Sequence, residues 1–537
     1  MAPAVRPVEA DDPDTVVERR SRGGEMAVGN VGRGHGLAPA RARGAGFRKV
    51  APPCAPATPP LRLRACAAAA AAKLAGRIVA RLRLRQATMA SGTQSIGEAQ
   101  AGGVIKRALV NAGWLLGGKG AGGLFSLVYL ALVARTLGVA GFGVFAIILA
   151  YGQGVASVVG FQSWQTVIRY GARHVADADP PALWRVLGFA TLLDGGAALA
   201  GAAIAAAGAL AFGQHMGLGL EERRLAALFG LSLLVGQRGA PTGVLRLFNR
   251  FDLAAYAELT QPAMRLVGAL IAWGLGGTLA LYLIAWAVAD LATTTAVWLQ
   301  AARELARQDA RALPRSLRGL TIENPGIWRF SILTNLTASI QLVWQQVPVL
   351  AVGWVAGPGS AGGYRMATQL GTALTKPVVS FTRSIYPEFA RLGTSAGAAA
   401  LKPVLRRTML MTGALGAVTV LLILLLGHWL LGVVGGPAYV FAYPVLLVLT
   451  IASAVNLIGF GLEPALVAVG RPGAALWARG MASILYLGLL AALLAWMGPI
   501  GAAWATLGAT LASVALLHLA FARAAAGAPG GAIDAAP

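Results

Sequence analysis

Beyond residue 100 the chain alternates between apolar runs of about 20 residues and short polar breaks. A helix rises 1.5 Å per residue, so about 20 apolar residues match a hydrocarbon core of about 30 Å. Twelve such runs are expected, at 111–134, 141–163, 186–212, 225–247, 255–276, 279–301, 327–353, 361–384, 404–426, 439–461, 474–497 and 499–521. Their apolar residues do not alternate with polar ones, which excludes the strands of a membrane barrel. Helices are then the remaining way to satisfy every backbone group in lipid. The fold class predicted is an all-α membrane protein with twelve transmembrane helices. The fourth and eighth runs are the most interrupted, by Arg238 and by Arg365 and Lys376.

The longest break, 302–326, divides the runs six and six. The expected organisation is a first six-helix bundle over 101–301, a linker over 302–326, a second bundle over 327–523 and a disordered tail over 524–537. A repeat links the halves: "VARTLGVAGFGVFA" follows the first run and "VGWVAGPGSAGGYRMA" the seventh. Each joins two spans through a glycine-rich turn, as in transporters built from internal repeats.

Composition supports the membrane assignment: 57% of the residues are hydrophobic and only 12% charged, against about 25% charged in soluble domains. The net charge of +24 does not point to nucleic acid, because of where it falls. Residues 1–100 hold 16 Lys/Arg and 7 Asp/Glu in a segment rich in Arg, Ala, Pro and Gly, without the pattern of a core. That segment is expected to be disordered, or to lie upstream of a native start at Met89. From 101 onward, 20 Lys/Arg fall on one set of loops and termini and 3 on the other. The positive-inside rule then puts both termini and 302–326 in the cytoplasm of a plasma-membrane protein. Both cysteines, Cys54 and Cys66, lie in the first hundred residues, so neither a metal cluster nor a thiol catalyst is expected in the membrane part. The glycine-rich "GGKGAGG" follows no strand, which argues against a nucleotide loop, and no cofactor is expected.

A charge at mid-membrane costs about 2.5–3.5 kcal/mol on insertion scales, so each asks for a reason. Arg365, Gln369, Thr372, Lys376, Ser380 and Arg383 recur every three or four residues, and so share one helical face. Facing lipid, such a stripe would be prohibitive; it is expected to line a hydrated cavity, with Arg383 at the interface. Gln341 and Gln345 on the seventh run, Lys119 on the first and Arg265 on the fifth are the other candidate cavity residues. Asp194 and Asp290, on the third and sixth, are candidates for coupling to a proton or sodium ion, with pairing to Lys119, Arg238 or Arg265 as their structural alternative.

The stretch from Leu115 to Gln153, with "ARTLGVAGFGVFA" at its centre, and "FQSWQTVIRYGA" after it resemble the first two spans of bacterial polysaccharide flippases. These are the Wzx-type members of the multidrug/oligosaccharidyl-lipid/polysaccharide exporter superfamily. "YRMATQL", "SIYPEFARL" and "EPALVAVGRPG" extend the resemblance over about 101–523. It implies two six-helix bundles around a central cavity that opens alternately to either side. It also implies a cargo of lipid-linked oligosaccharide on undecaprenyl diphosphate, with membrane lipids, a polymerase and glycosyltransferases as associated partners. The matching motifs are scaffold signatures, so the site residues above rest on the polar stripes. Two alternatives stay open. A cation-coupled multidrug exporter would carry more acid than base in its cavity. A membrane glycosyltransferase or polymerase would carry titratable groups in its outer loops; here most are short and uncharged, and no catalytic constellation is found.

Overall fold

The computed structural model describes residues 101–232, 236–307, 316–383 and 386–526; side chains of 101–121, most of 251–258, 337–338, 340–343, 375–400 and 472 lie outside that description. Among the described residues all regular structure is helical. The first helix, α1 (Ala101–Val159), contains two crossings joined at Gly138, whose φ of 68° and ψ of −176° only glycine adopts readily. An amphipathic α2 (Ser163–Ala176) follows, then α3 (Pro180–Phe212), begun by Asp179, which accepts a hydrogen bond from the Ala182 N–H at 3.0 Å. The fourth crossing is interrupted: α4 (Leu220–Gly230) and α5 (Gly239–Leu247) flank a break, with Arg238 immediately before the second piece and Pro241 in its first turn. The half closes with α6 (Phe251–Gly274) and α7 (Leu279–Arg307).

The second half repeats the plan. After a short α8 (Leu320–Glu323), α9 (Ile327–Gln345) stops one residue before α10 (Val347–Arg383) begins. Pro348 lacks the N–H that an uninterrupted helix would use there, and suits the first turn of a new one. Within α10, Gly357 has φ 79° and ψ 171°, the conformation of Gly138. Then come α11 (Tyr386–Val434), α12 (Tyr443–Gly459), α13 (Leu462–Ala468), α14 (Pro472–Met497) and α15 (Pro499–Ala526). Counting each glycine-divided helix twice and each interrupted crossing once gives the twelve crossings expected, six in each bundle. By length and apolarity alone only seven described stretches qualify, because breaks and cations dilute the others and Gly122–Ala176 contains more than one crossing.

The two glycine turns lie against each other. Five residues beyond Gly138 comes Gly143, and five beyond Gly357 comes Gly362. A Cβ on Gly143 would overlap the carbonyl of Pro358, and one on Gly362 would sit 3.0 Å from the Gly143 backbone. Backbones approach this closely only where side chains are absent. Tyr439 reinforces the joint, donating to the Gly138 carbonyl at 3.0 Å and meeting Phe142 edge-on at 5.9 Å. Arg135, one of the three cations on the charge-poor side, donates to the carbonyls of Gly432 and Val433 at the C-terminal end of α11, where a cation is favoured. The outward faces of α3, α11 and α14 expose Leu192, Leu199, Leu425 and Ile484 by about two-thirds of their area. On a soluble protein such faces would mark a contact surface; here they are the lipid side.

Candidate functional site

Behind the glycine crossing lies a cavity of about 250 Å³ walled by both bundles. Its polar lining comes from Ser126, Tyr129 and Gln153 of α1, Arg265 of α6, and Arg365 and Gln369 of α10, with Trp286 of α7 among its apolar walls. The crossing sets this arrangement: Gly362 brings α10 onto α1, and Arg365 and Gln369 lie three and seven residues further along the same face.

The arginines in the wall differ in their surroundings. Arg265 donates to Asp290 Oδ1 at 2.9 Å and stacks over Trp286 with its guanidinium carbon 3.5 Å from the ring centroid. Asp290 also accepts from Gln261 at 2.6 Å and faces Arg238 at 4.0 Å. Arg365, only 9% exposed, meets no carboxylate among the described residues; it approaches the neutral Gln346 Oε1 at 3.5 Å. Of the two arginines in the wall, Arg265 is compensated by Asp290 and Arg365 is left without a described carboxylate. Tyr129 stands close enough to Arg265 and Arg365 to feel both charges. Its hydroxyl and the Arg265 Nε are buried without a hydrogen-bond partner among the described residues. Buried donors normally have acceptors, and this wall offers unsatisfied donors beside one cation, Arg365, that meets no described carboxylate, a set whose chemistry suits oxygen acceptors.

Of the residues singled out from sequence, Arg265, Arg365 and Gln369 meet at this cavity, and Asp290 lies directly behind Arg265. Asp290 thus takes the pairing considered for it. Asp194 does not: its described partners are the Ser163 hydroxyl at 2.7 Å and the Ala240 N–H at 2.9 Å, where it caps the second piece of the broken crossing. Gln345 is exposed and is not in the cavity wall; the break between α9 and α10 turns its neighbour Gln346 inward instead. The side chains of Lys119, Gln341 and Lys376 lie outside the described residues. Tyr129, Gln153, Trp286 and Gln346 complete the site without having been singled out. Gln153 was detectable as a polar residue in an apolar run; the two aromatics carry no such signal.

A family model described as polysaccharide biosynthesis protein matches residues 108–393. Inner membrane protein YghQ of Escherichia coli (strain K12) is 31% identical over 349 residues, covering 64% of this chain and 96% of that one. Among solved structures, an inward-facing multidrug resistance MATE family transporter of the MOP superfamily superposes with a TM-score of 0.57 at 12% identity, over 77% of this chain and 94% of that one. The lipid II flippase MurJ in an inward closed conformation does so with a TM-score of 0.55 at 13% identity, over 75% and 88%. At such identities the likeness is one of fold, and the fold is that of these transporters.

Proposed function

Because the chain belongs to the polysaccharide biosynthesis protein family, we propose that it flips an oligosaccharide linked to undecaprenyl diphosphate across the inner membrane by alternating access. The observation that carries this reading is Arg365, a nearly buried cation without a described carboxylate partner, in a cavity shared by the two bundles. A diphosphate entering a low-dielectric region must exchange its water for fixed charges and donors. Arg365 supplies a planar fork matched to phosphate oxygens, while Arg265, already held by Asp290, adds field. Tyr129 and Gln369 offer donors, and Gln153 and Ser126 suit sugar hydroxyls. The lipid tail stays in the bilayer throughout, so the polar head alone crosses inside protein. A cationic drug fits this wall poorly, since base exceeds acid in it. No covalent step is assigned to any residue.

Orientation follows from loop charge: both termini and 302–326 in the cytoplasm, the glycine crossing on the outer side. Cysteine accessibility in intact cells tests it, and labelling of 302–326 from outside would overturn it. Uphill movement would draw on a proton or sodium gradient through Asp290 or Asp194, or on consumption of the delivered product by a polymerase. Reconstituted vesicles carrying a fluorescent lipid-diphosphate oligosaccharide test the whole reading. Flipping should require the protein and fall at least tenfold with Arg365→Ala at equal protein content. Equal flipping by that variant would refute the role of the cavity, and equal rates with and without either gradient would make the carboxylates structural.

A further inference from the structure

One line of contacts between the bundles is unlike the glycine crossing. It joins the end of α1 and all of α2 to the start of the second half, and the pairs descend one segment as they climb the other. Gln153 accepts from Gln346 Nε2 at 3.0 Å, the Val158 carbonyl from Asn335 Nδ2 at 3.2 Å, Thr166 meets Ser331 at 3.0 Å and His174 meets Asn324 at 2.9 Å. Beyond them Arg185 grips Glu323 through two hydrogen bonds, at 2.7 and 2.8 Å. On its other side α9 is tied to its own bundle, where Trp344 stacks on Tyr486 at 4.7 Å and donates to Ser483 at 2.8 Å.

The rung nearest the cavity is part of the cavity. Gln346 spends its amide N–H on Gln153 and turns its Oε1 toward Arg365, so Arg365, Gln346 and Gln153 form one chain from the anion-facing cation to the opposite bundle. We propose that this chain makes the seam a latch which an anion in the cavity releases; the proposal rests on the cavity being an anion site.

The physical steps are few. A phosphate offers charged oxygens that a guanidinium can hold by two parallel bonds, whereas the amide gives one neutral acceptor and the existing contact is already long at 3.5 Å. Once Arg365 turns to the phosphate, Gln346 loses the group that fixes its amide against Gln153. Gln346 sits in the non-helical gap between α9 and α10, so α9 can tilt there without breaking a run of helical hydrogen bonds. The next rung is only half satisfied, since Asn335 Oδ1 is buried without a partner among the described residues. The three rungs nearest the cavity, at Gln153, Val158 and Thr166, hold groups that do not ionise, which part and re-form without stranding a charge in the membrane.

The test uses the full chain with Cys54→Ser, Cys66→Ser, Thr166→Cys and Ser331→Cys, in which a disulfide can form only with the seam closed. Inorganic pyrophosphate is the probe, and its binding is measured separately by calorimetry. The latch predicts fast oxidation without the probe and severalfold slower oxidation with it. Gln346→Leu should slow oxidation without the probe, and Gln153→Leu, which cuts the same bond from the other bundle, should reproduce that effect. Arg365→Ala should abolish the response to pyrophosphate. Pyrophosphate that binds but leaves the oxidation rate unchanged overturns the latch while sparing the anion site. Failure of pyrophosphate to bind overturns both.

Discussion

The two bundles meet in two ways, at a joint without side chains and at a joint made of them. At the glycine crossing, Gly143 admits no Cβ and Gly362 only a crowded one, and the surfaces are fixed by backbone sterics. Along the seam, Thr166–Ser331 and its neighbouring rungs use groups that can exchange partners. A steric joint tolerates almost no change and needs none, whereas a hydrogen-bonded one is weak rung by rung and reversible as a whole. A transporter requires both: somewhere to pivot and somewhere to part.

The sharpest way to break this contrast is Gly143→Val. With the Pro358 carbonyl in the way of its Cβ, folding should be lost, by roughly 4–5 kcal/mol or more, read as disappearance of folded protein from the membrane. Normal abundance would show the joint to be slack. Asp290→Asn comes next. It leaves Arg265 and Arg238 facing a neutral amide, and should destabilise by about 2 kcal/mol, less than for a fully buried pair because both Arg265 and Asp290 side chains are one-fifth exposed. Thermal unfolding in detergent measures it, and an unchanged midpoint would mean that the pair contributes nothing net. Arg365→Ala should leave that midpoint nearly unmoved and weaken pyrophosphate binding about 10- to 100-fold, the size of one charge-assisted contact pair. Smallest is Thr166→Val. Removing one neutral rung should cost about 0.6 kcal/mol, the average for such bonds between membrane helices, and shift the seam rather than the fold. An effect as large as that at Gly143 would erase the distinction between the joints.

Much of the architecture was legible because it is written in length and in glycine. Twelve apolar runs gave twelve crossings, and the repeated glycine-rich turns proved to share a backbone conformation only glycine adopts readily. Arg365 and Gln369 were legible for a different reason: polar residues repeated at helical spacing in an apolar run cannot face lipid. Helical spacing failed where the helix does. Gln345 is the last residue of α9 and Gln346 stands in the α9–α10 break, so spacing along the seventh run had no phase with which to reach the glutamine that meets Arg365. Asp290 could be assigned a cation but not which one, since Lys119, Arg238 and Arg265 offered several pairings and tertiary geometry chose among the described ones. Tyr129 and Trp286 were invisible because an aromatic that lines a cavity and one that fills a core look alike in sequence.

The glycine crossing also bears on how the molecule is made. Gly143 and the Pro358 carbonyl that fills its surface stand 215 residues apart in the chain. At 5–20 residues per second, a ribosome delivers the partner roughly 10–40 s after the first hairpin has entered the membrane. For that interval the nascent protein carries an open notch along α1, lined by glycine and bare backbone. Its first six crossings are therefore an unfinished surface that waits for the second hairpin, and a chain that stops before α10 has nothing of its own to close it.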